Sequence, residues 1–211
     1  MRILISMVLA LAAAGAYAQA DVGLVNLVTG DVSFTPQGAA GSQAKAFMKV
    51  REGDRFDVPA GAQVRVVYFD GARQERWQGP SSFRAGRTQG TPISGKPAES
   101  TQLPGAASAR IARIPELMQN AKLGGIQVRA AQSSRPVSKE ALDEARANYE
   151  KLRKQLPGDD ITPELFLFSA LNDYQLYEDM VPLVDEMTRK QPESEDVKLL
   201  ASWLGTRRGA K

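Results

Sequence analysis

Apolar positions between residues 22 and 86 come in short runs, each closed by Gly, Pro or Asp. Residues 24–28 and 32–34 flank Thr29-Gly30, where a glycine at the second central loop position suits a hairpin. A loop at 38–43 follows. Then come "AKAFMKV", a break at Glu52-Gly53-Asp54, "RFDV", a turn at Pro59-Ala60-Gly61 and "QVRVVYF". Short strands punctuated in this way predict an all-β sandwich or barrel, and no helical period fits the region.

Asp70-Gly71 reads as a two-residue turn. It sets Tyr68 opposite Arg73, Val66 opposite Glu75 and Val64 opposite Trp77. Since side chains alternate faces along a strand, Val64, Val66, Tyr68 and Trp77 share one face, with Arg73 and Glu75 beside them. Arg65 and Val67 share the other with Gln74, Arg76 and Gln78. The second strand, "ARQERWQ", lacks the apolar alternation of a central strand, so an edge position is expected. Trp77 is either a core anchor or an exposed platform. In the second case Arg73, Gln74, Arg76 and Trp77 would contact a partner or stack on a glycan.

The pattern changes after residue 86. Residues 87–109 are rich in Gly, Pro, Ser and Thr and read as a linker. Ile111, Ile114, Leu117, Met118 and Ala121 then fall at helical spacing, with a fresh start at Pro115, so a short helix is expected at about 115–123. Its basic face, Arg110, Arg113 and Lys122, would suit a membrane surface; packing against the β domain is the simpler expectation. "IQVRA" predicts a short strand at about 126–130.

From Ser138 onward the period is helical. Leu142, Ala145, Tyr149, Leu152 and Leu156 make one stripe, with Ser138 as the cap. Thr162-Pro163-Glu164 signals a second start, with Thr162 as cap, proline in the first turn and an acid next, and "LFLFSAL" is apolar nearly all round, as in a buried helix. A third helix holds Val181, Val184 and Met187, with Pro182 expected in its first turn. Ser194 caps a fourth, which Gly205 ends.

Composition narrows the chemistry. The 211-residue chain has no Cys and no His. Thiol nucleophiles, Ser-His pairs and histidine metal ligands are therefore excluded. Carboxylate-only glycosidase chemistry would need an acid pair, and none stands out among the 24 Asp and Glu. A non-enzymatic protein without a cofactor is expected. Residues 21–137 hold 15 Lys and Arg against 9 Asp and Glu, whereas 138–211 hold 11 against 15. The halves thus differ in sign, as docking modules would, and the mild total does not require nucleic acid.

Residues 1–20 combine Arg2, an apolar run too short for a comfortable span, and two A-x-A sites ending at Ala18 and Ala20. A cleaved secretory signal and an exported protein with no stable membrane anchor are expected.

The stretch "VREGDRFDVPAGAQVRVVYFDGARQERWQGPSSFRAG" resembles the FecR-type periplasmic domain. The matching positions are Gly53-Asp54, then Val64, Val66 and Tyr68, then Asp70-Gly71 and Gly79-Pro80, closed by Phe83. "TGDVSF" matches that family's opening hairpin, so the resemblance covers residues 22–86. It implies a small antiparallel β domain in the periplasm of a Gram-negative bacterium, binding other envelope components. The family's iron-transport regulators carry a cytoplasmic segment and a membrane helix where this chain carries its signal.

Residues 161–194 also resemble a tetratricopeptide repeat in length, in Tyr177 and in Pro192. Phe168 and Met180 occupy places where that repeat has small residues, and a plain four-helix bundle is the other reading.

The expected organisation is α+β. A signal at 1–20 precedes a β sandwich or barrel at 21–86. A linker at 87–137 leads to an all-α, repeat-like domain at 138–206. The expected function is an envelope adaptor that binds another envelope protein. An envelope polysaccharide held at Trp77 is the alternative.

Overall fold

The computed structural model describes residues 20–123 and 138–209. Among the described residues ten strands come first: β1 (Asp21–Thr29), β2 (Ser33–Thr35), β3 (Ser42–Gln43), β4 (Lys49–Arg51), β5 (Arg55–Val58), β6 (Gln63–Tyr68), β7 (Arg73–Gln78), β8 (Ser81–Ala85), β9 (Gly90–Ser94) and β10 (Glu99–Gln102). Six described helices follow: α1 (Gly105–Ile111), α2 (Ile114–Lys122), α3 (Lys139–Gln155), α4 (Thr162–Asp173), α5 (Tyr177–Lys190) and α6 (Glu195–Gly209). The class is α+β, with two antiparallel five-stranded sheets ahead of the helices. Sheet A runs β10-β7-β6-β1-β4, and sheet B runs β3-β2-β5-β8-β9. Residues 1–19 of the expected signal lie outside the described residues, as does the expected strand at 126–130.

The β6–β7 hairpin has the register that the Asp70-Gly71 turn dictates: Tyr68 opposite Arg73, Val66 opposite Glu75, Val64 opposite Trp77. Ala72 N–H donates to the Phe69 carbonyl at 3.1 Å and closes the turn. One face of the hairpin packs into the sandwich. There Trp77 stacks on Phe83 at 4.3 Å, and Phe83 stacks on Phe56 at 4.9 Å. Val25, Val64, Val66 and Tyr68 complete this core without exposure. Gly79, just past β7, runs so close to the Pro59 carbonyl oxygen that a Cβ could not be accommodated.

The other face of sheet A is also covered. Leu24, Phe47, Val67 and Leu103 join the helices in a second core. Sheet A is thus the middle of three layers, which is why β6 is buried from Val64 to Tyr68 on both sides. The centre of the helical layer is α4, buried from Thr162 to Asn172 and flanked by α1, α3 and α5. Each large apolar side chain enclosed in this way contributes about 1.5–3 kcal/mol.

Several expectations need correction. β1 and β2 do not form a hairpin: β1 pairs with β4 and β6 in sheet A, β2 with β3 and β5 in sheet B. The intervening Gly30 has φ 75°, and a Cβ there would come within 2.9 Å of Ala62 Cβ. β7 is not an edge strand, because β10 pairs along it from Glu99 to Gln102. Part of the stretch read as a linker therefore forms β9, β10 and α1. Its small polar residues form exposed edge strands with no apolar alternation to announce them. α1 and α2 pack chiefly on α4 and α6 rather than on the sandwich, with Ile111, Ile114 and Met118 inward. Arg110 and Arg113, assigned to a basic membrane-facing side, both bind Asp173, at 2.9 and 2.7 Å.

In the helical half, Ser138 Oγ accepts from Ala141 N–H and Ser194 Oγ from Val197 N–H, each at 3.3 Å, as expected of caps. Pro182 lies inside α5 beyond its first turn, on the exposed side. Gly205 does not end α6, which continues to Gly209. No helix among the described residues is long and apolar enough to cross a membrane.

Candidate functional site

The four residues singled out on β7 do not converge. Trp77 has no exposed surface; its indole N–H donates to Glu75 Oε2 at 3.0 Å, inside the sandwich. It is the core anchor and offers no ring to a sugar. Gln74 points the opposite way and is buried under the helices. Arg73 donates to Ser100 Oγ at 3.0 Å and Arg76 pairs with Glu99 at 3.2 Å, so both serve the β7–β10 pairing. The correction has a simple cause: the layer of helices that covers this face of β7 comes from a part of the chain that local pattern does not reach.

Glu75 is a further buried carboxylate that the strand pattern only placed beside Trp77. Its Oε2 also accepts Gly90 N–H at 3.0 Å, which ties β7 to the start of β9 in the other sheet. Burial pushes its carboxyl above the ordinary value, outweighing the two N–H donors and Arg73, which pull it down. Asp54, of the Gly53-Asp54 step, accepts Arg51 N–H at 2.8 Å and Gln37 N–H at 3.4 Å; burial also raises its carboxyl.

Between sheet A and the helices lies a polar seam. Gln74 donates to Asp160 and accepts from Thr162 Oγ1 at 2.7 Å. Asn26, at the β1 irregularity between Val25 and Leu27, donates to Gln74 and to Thr162. Arg65 lies 3.5 Å from the Asp160 carboxylate and 3.4 Å from Asp159. Thr162, expected to cap α4, instead directs its hydroxyl to the sheet, and Asp160 accepts the Thr162 N–H at 2.8 Å. Asp160 is therefore both the helix-start acceptor and the counter-charge of a buried arginine. Behind it, Arg153 and Lys190 donate to the Asp160 carbonyl at 3.0 and 3.1 Å, and Lys190 pairs with the buried Glu164 at 2.9 Å. The Tyr149 hydroxyl leans on Glu164 at 3.4 Å, and its pKa is pushed up to about 12, first by burial and then by that carboxylate. Asn26, Arg65 and Gln74 from sheet A and Asp160 and Thr162 from the start of α4 are buried, and their contacts fasten one layer to the other.

Beside the seam the two layers part and leave an open cleft of about 940 Å³. One wall is the end of β1, Leu27 to Gly30, with residues 44–46 of the loop before β4. The other is the α5–α6 turn, Gln191 to Asp196, with Leu199 and Lys122. Lys122 reaches Asp196 at 3.5 Å and helps join α2 to α6. The described residues gather no group of three His, Cys, Asp or Glu that could hold a metal ion. Sequence reasoning missed this cleft because its walls come from distant parts of the chain and neither carries a motif. The one signal for the seam was Arg65, a charge in the middle of an apolar strand. Comparison with protein-family models, curated proteins and solved structures gives no match.

Proposed function

We propose that the chain is an exported, non-enzymatic adaptor of the Gram-negative cell envelope that binds another envelope protein. The observation that carries this reading is the cleft, built jointly by the two layers and lined with both apolar and charged side chains. A recess at the seam of two docked modules is where binding sites commonly lie. The seam supports it further, because its hydrogen bonds tie together the two layers that form the walls. The FecR-type resemblance of residues 22–86 and the signal-like residues 1–20 support the periplasmic setting. The tetratricopeptide-like residues 161–194 support a protein as the partner, since helical repeats of that kind present binding surfaces.

The test is site-specific photo-crosslinking in cells. A photoreactive residue replaces Lys45, on the cleft wall, or Ile93, on the far edge of sheet B. Capture of a periplasmic or outer-membrane protein from position 45 but not from position 93 is the expected result. Equal capture from both positions, or cytoplasmic proteins alone, would reject the reading.

A further inference from the structure

The β1 wall of the cleft is an incompletely paired strand. β4 covers β1 only from Asp21 to Leu24, and Val25 is bonded to Met48 and Phe47 at 3.0 and 2.7 Å. From Leu27 to Thr29, β1 pairs with β6 alone among the described residues. In an antiparallel pair, alternate residues turn their N–H and C=O away from the partner strand. Alternate residues within 27–29 therefore present main-chain donors and acceptors on the side where β4 has ended. Sheet edges elsewhere are blunted by charge, proline or short length, as at Pro92 on β9 and the two-residue β3. Here the edge opens into a recess with Leu27, Val28 and Leu199 partly exposed.

We propose that this half of β1 is a docking edge for an extended segment of a partner protein, which adds as a strand to sheet A inside the cleft. The proposal rests on the reading of the chain as a binding module and names the form its partner takes. Main-chain pairing would supply affinity, and alternate side chains specificity. The walls set the pattern. Lys45 stands on the β wall and Glu193 on the helical wall, and neither is in a salt bridge among the described residues. Side chains of an added strand alternate between the two faces of sheet A, toward the helical wall and away from it. The complementary segment thus carries an acid and a base at positions of opposite parity, with small or β-branched residues between.

The test is hydrogen–deuterium exchange on the full chain, with a pool of hexapeptides of Val and Thr carrying one Glu and one Lys at opposite parity. The expected result is that the amides within residues 27–29 that turn away from β6 slow by about tenfold or more. The same pool N-methylated on every amide should leave them unchanged, and Glu193→Lys should weaken protection by the unmethylated pool. The proposal is overturned if no member protects these amides at millimolar concentration, or if the methylated pool protects equally. It is also overturned if these amides are already slow in the free chain. Dependence of that slowness on protein concentration would identify a second copy as the occupant, and independence would place the cover within the chain. Such failure with successful crosslinking at position 45 would remove the docking edge and leave the adaptor reading standing.

Discussion

Gln74 and Asp160, 86 positions apart, share a buried hydrogen bond that joins the middle sheet to the start of α4. Asp160 also faces Arg65, whose side chain is 2% exposed. Removing one member of such a group leaves the other enclosed and unpaired, which costs more than the pair itself contributes. Asp160→Ala is expected to lower stability by about 3–5 kcal/mol. Asp159→Ala should cost under about 0.5 kcal/mol, because that carboxylate is 59% exposed and screened. Urea unfolding of the two variants checks the contrast; equal midpoints would mean that Arg65 finds other partners.

The same seam argues that the helices do not fold alone. α4 is enclosed on one side by α1, and the helical core includes Leu24, Phe47, Val67 and Leu103 from the β half. The opposite charge signs of the two halves suit docking modules and do not by themselves make the helical half independent. A fragment of residues 138–211 would expose that shared surface and leave Asp160 and Thr162 without Arg65, Gln74 and Asn26. It is expected to give weaker helical circular dichroism per residue than the helices of the full chain, with no sharp thermal transition. The full chain should melt in one step. A cooperative melt of the fragment would show that α3 to α6 suffice.

Trp77 is expected to behave as a core residue. Trp77→Ala should cost about 3–5 kcal/mol, since it empties a fully buried aromatic site stacked on Phe83. Arg73→Ala should cost under about 1 kcal/mol, because its bond to Ser100 is exposed. Thermal melts decide it: an unchanged Trp77→Ala melt would contradict the packing.

What could be read in advance follows the range of the physics. The β6–β7 register was legible because Asp70-Gly71 is a local device and strand alternation does the rest. The helix starts at Ser138 and Pro163 are equally local. β9 and β10 were not legible, since "GTPIS" and "ESTQ" owe their pairing to β8 and β7 rather than to any apolar pattern of their own. Gln74, on the same strand face as Arg76 and Gln78, carries no local sign of burial because a polar side chain reads alike under water or under a helix. Only its partner tells them apart, and Asp160 is distant in the chain.

Glu75 gives a pH-dependent prediction. Burial raises its carboxyl above the ordinary 4.5, so the folded state holds the proton more tightly than the unfolded chain does. Folding is then favoured below 4.5, and the advantage is lost as pH rises through the folded-state value. Above that value the chain carries a buried charge held by Trp77 and Gly90. Glu75→Gln keeps an oxygen for those two donors and removes the charge. The variant should gain stability relative to the parent as pH rises from 4.5 toward neutrality, with the gain levelling off once the parent's Glu75 is ionised. Asp54 titrates in the same direction and is untouched, so the variant keeps part of the parent's slope. Urea midpoints of both proteins across this range provide the measurement. A difference that stays constant with pH would mean that Glu75 titrates alike in the folded and unfolded chain. A difference of opposite sign would mean that the N–H donors outweigh burial.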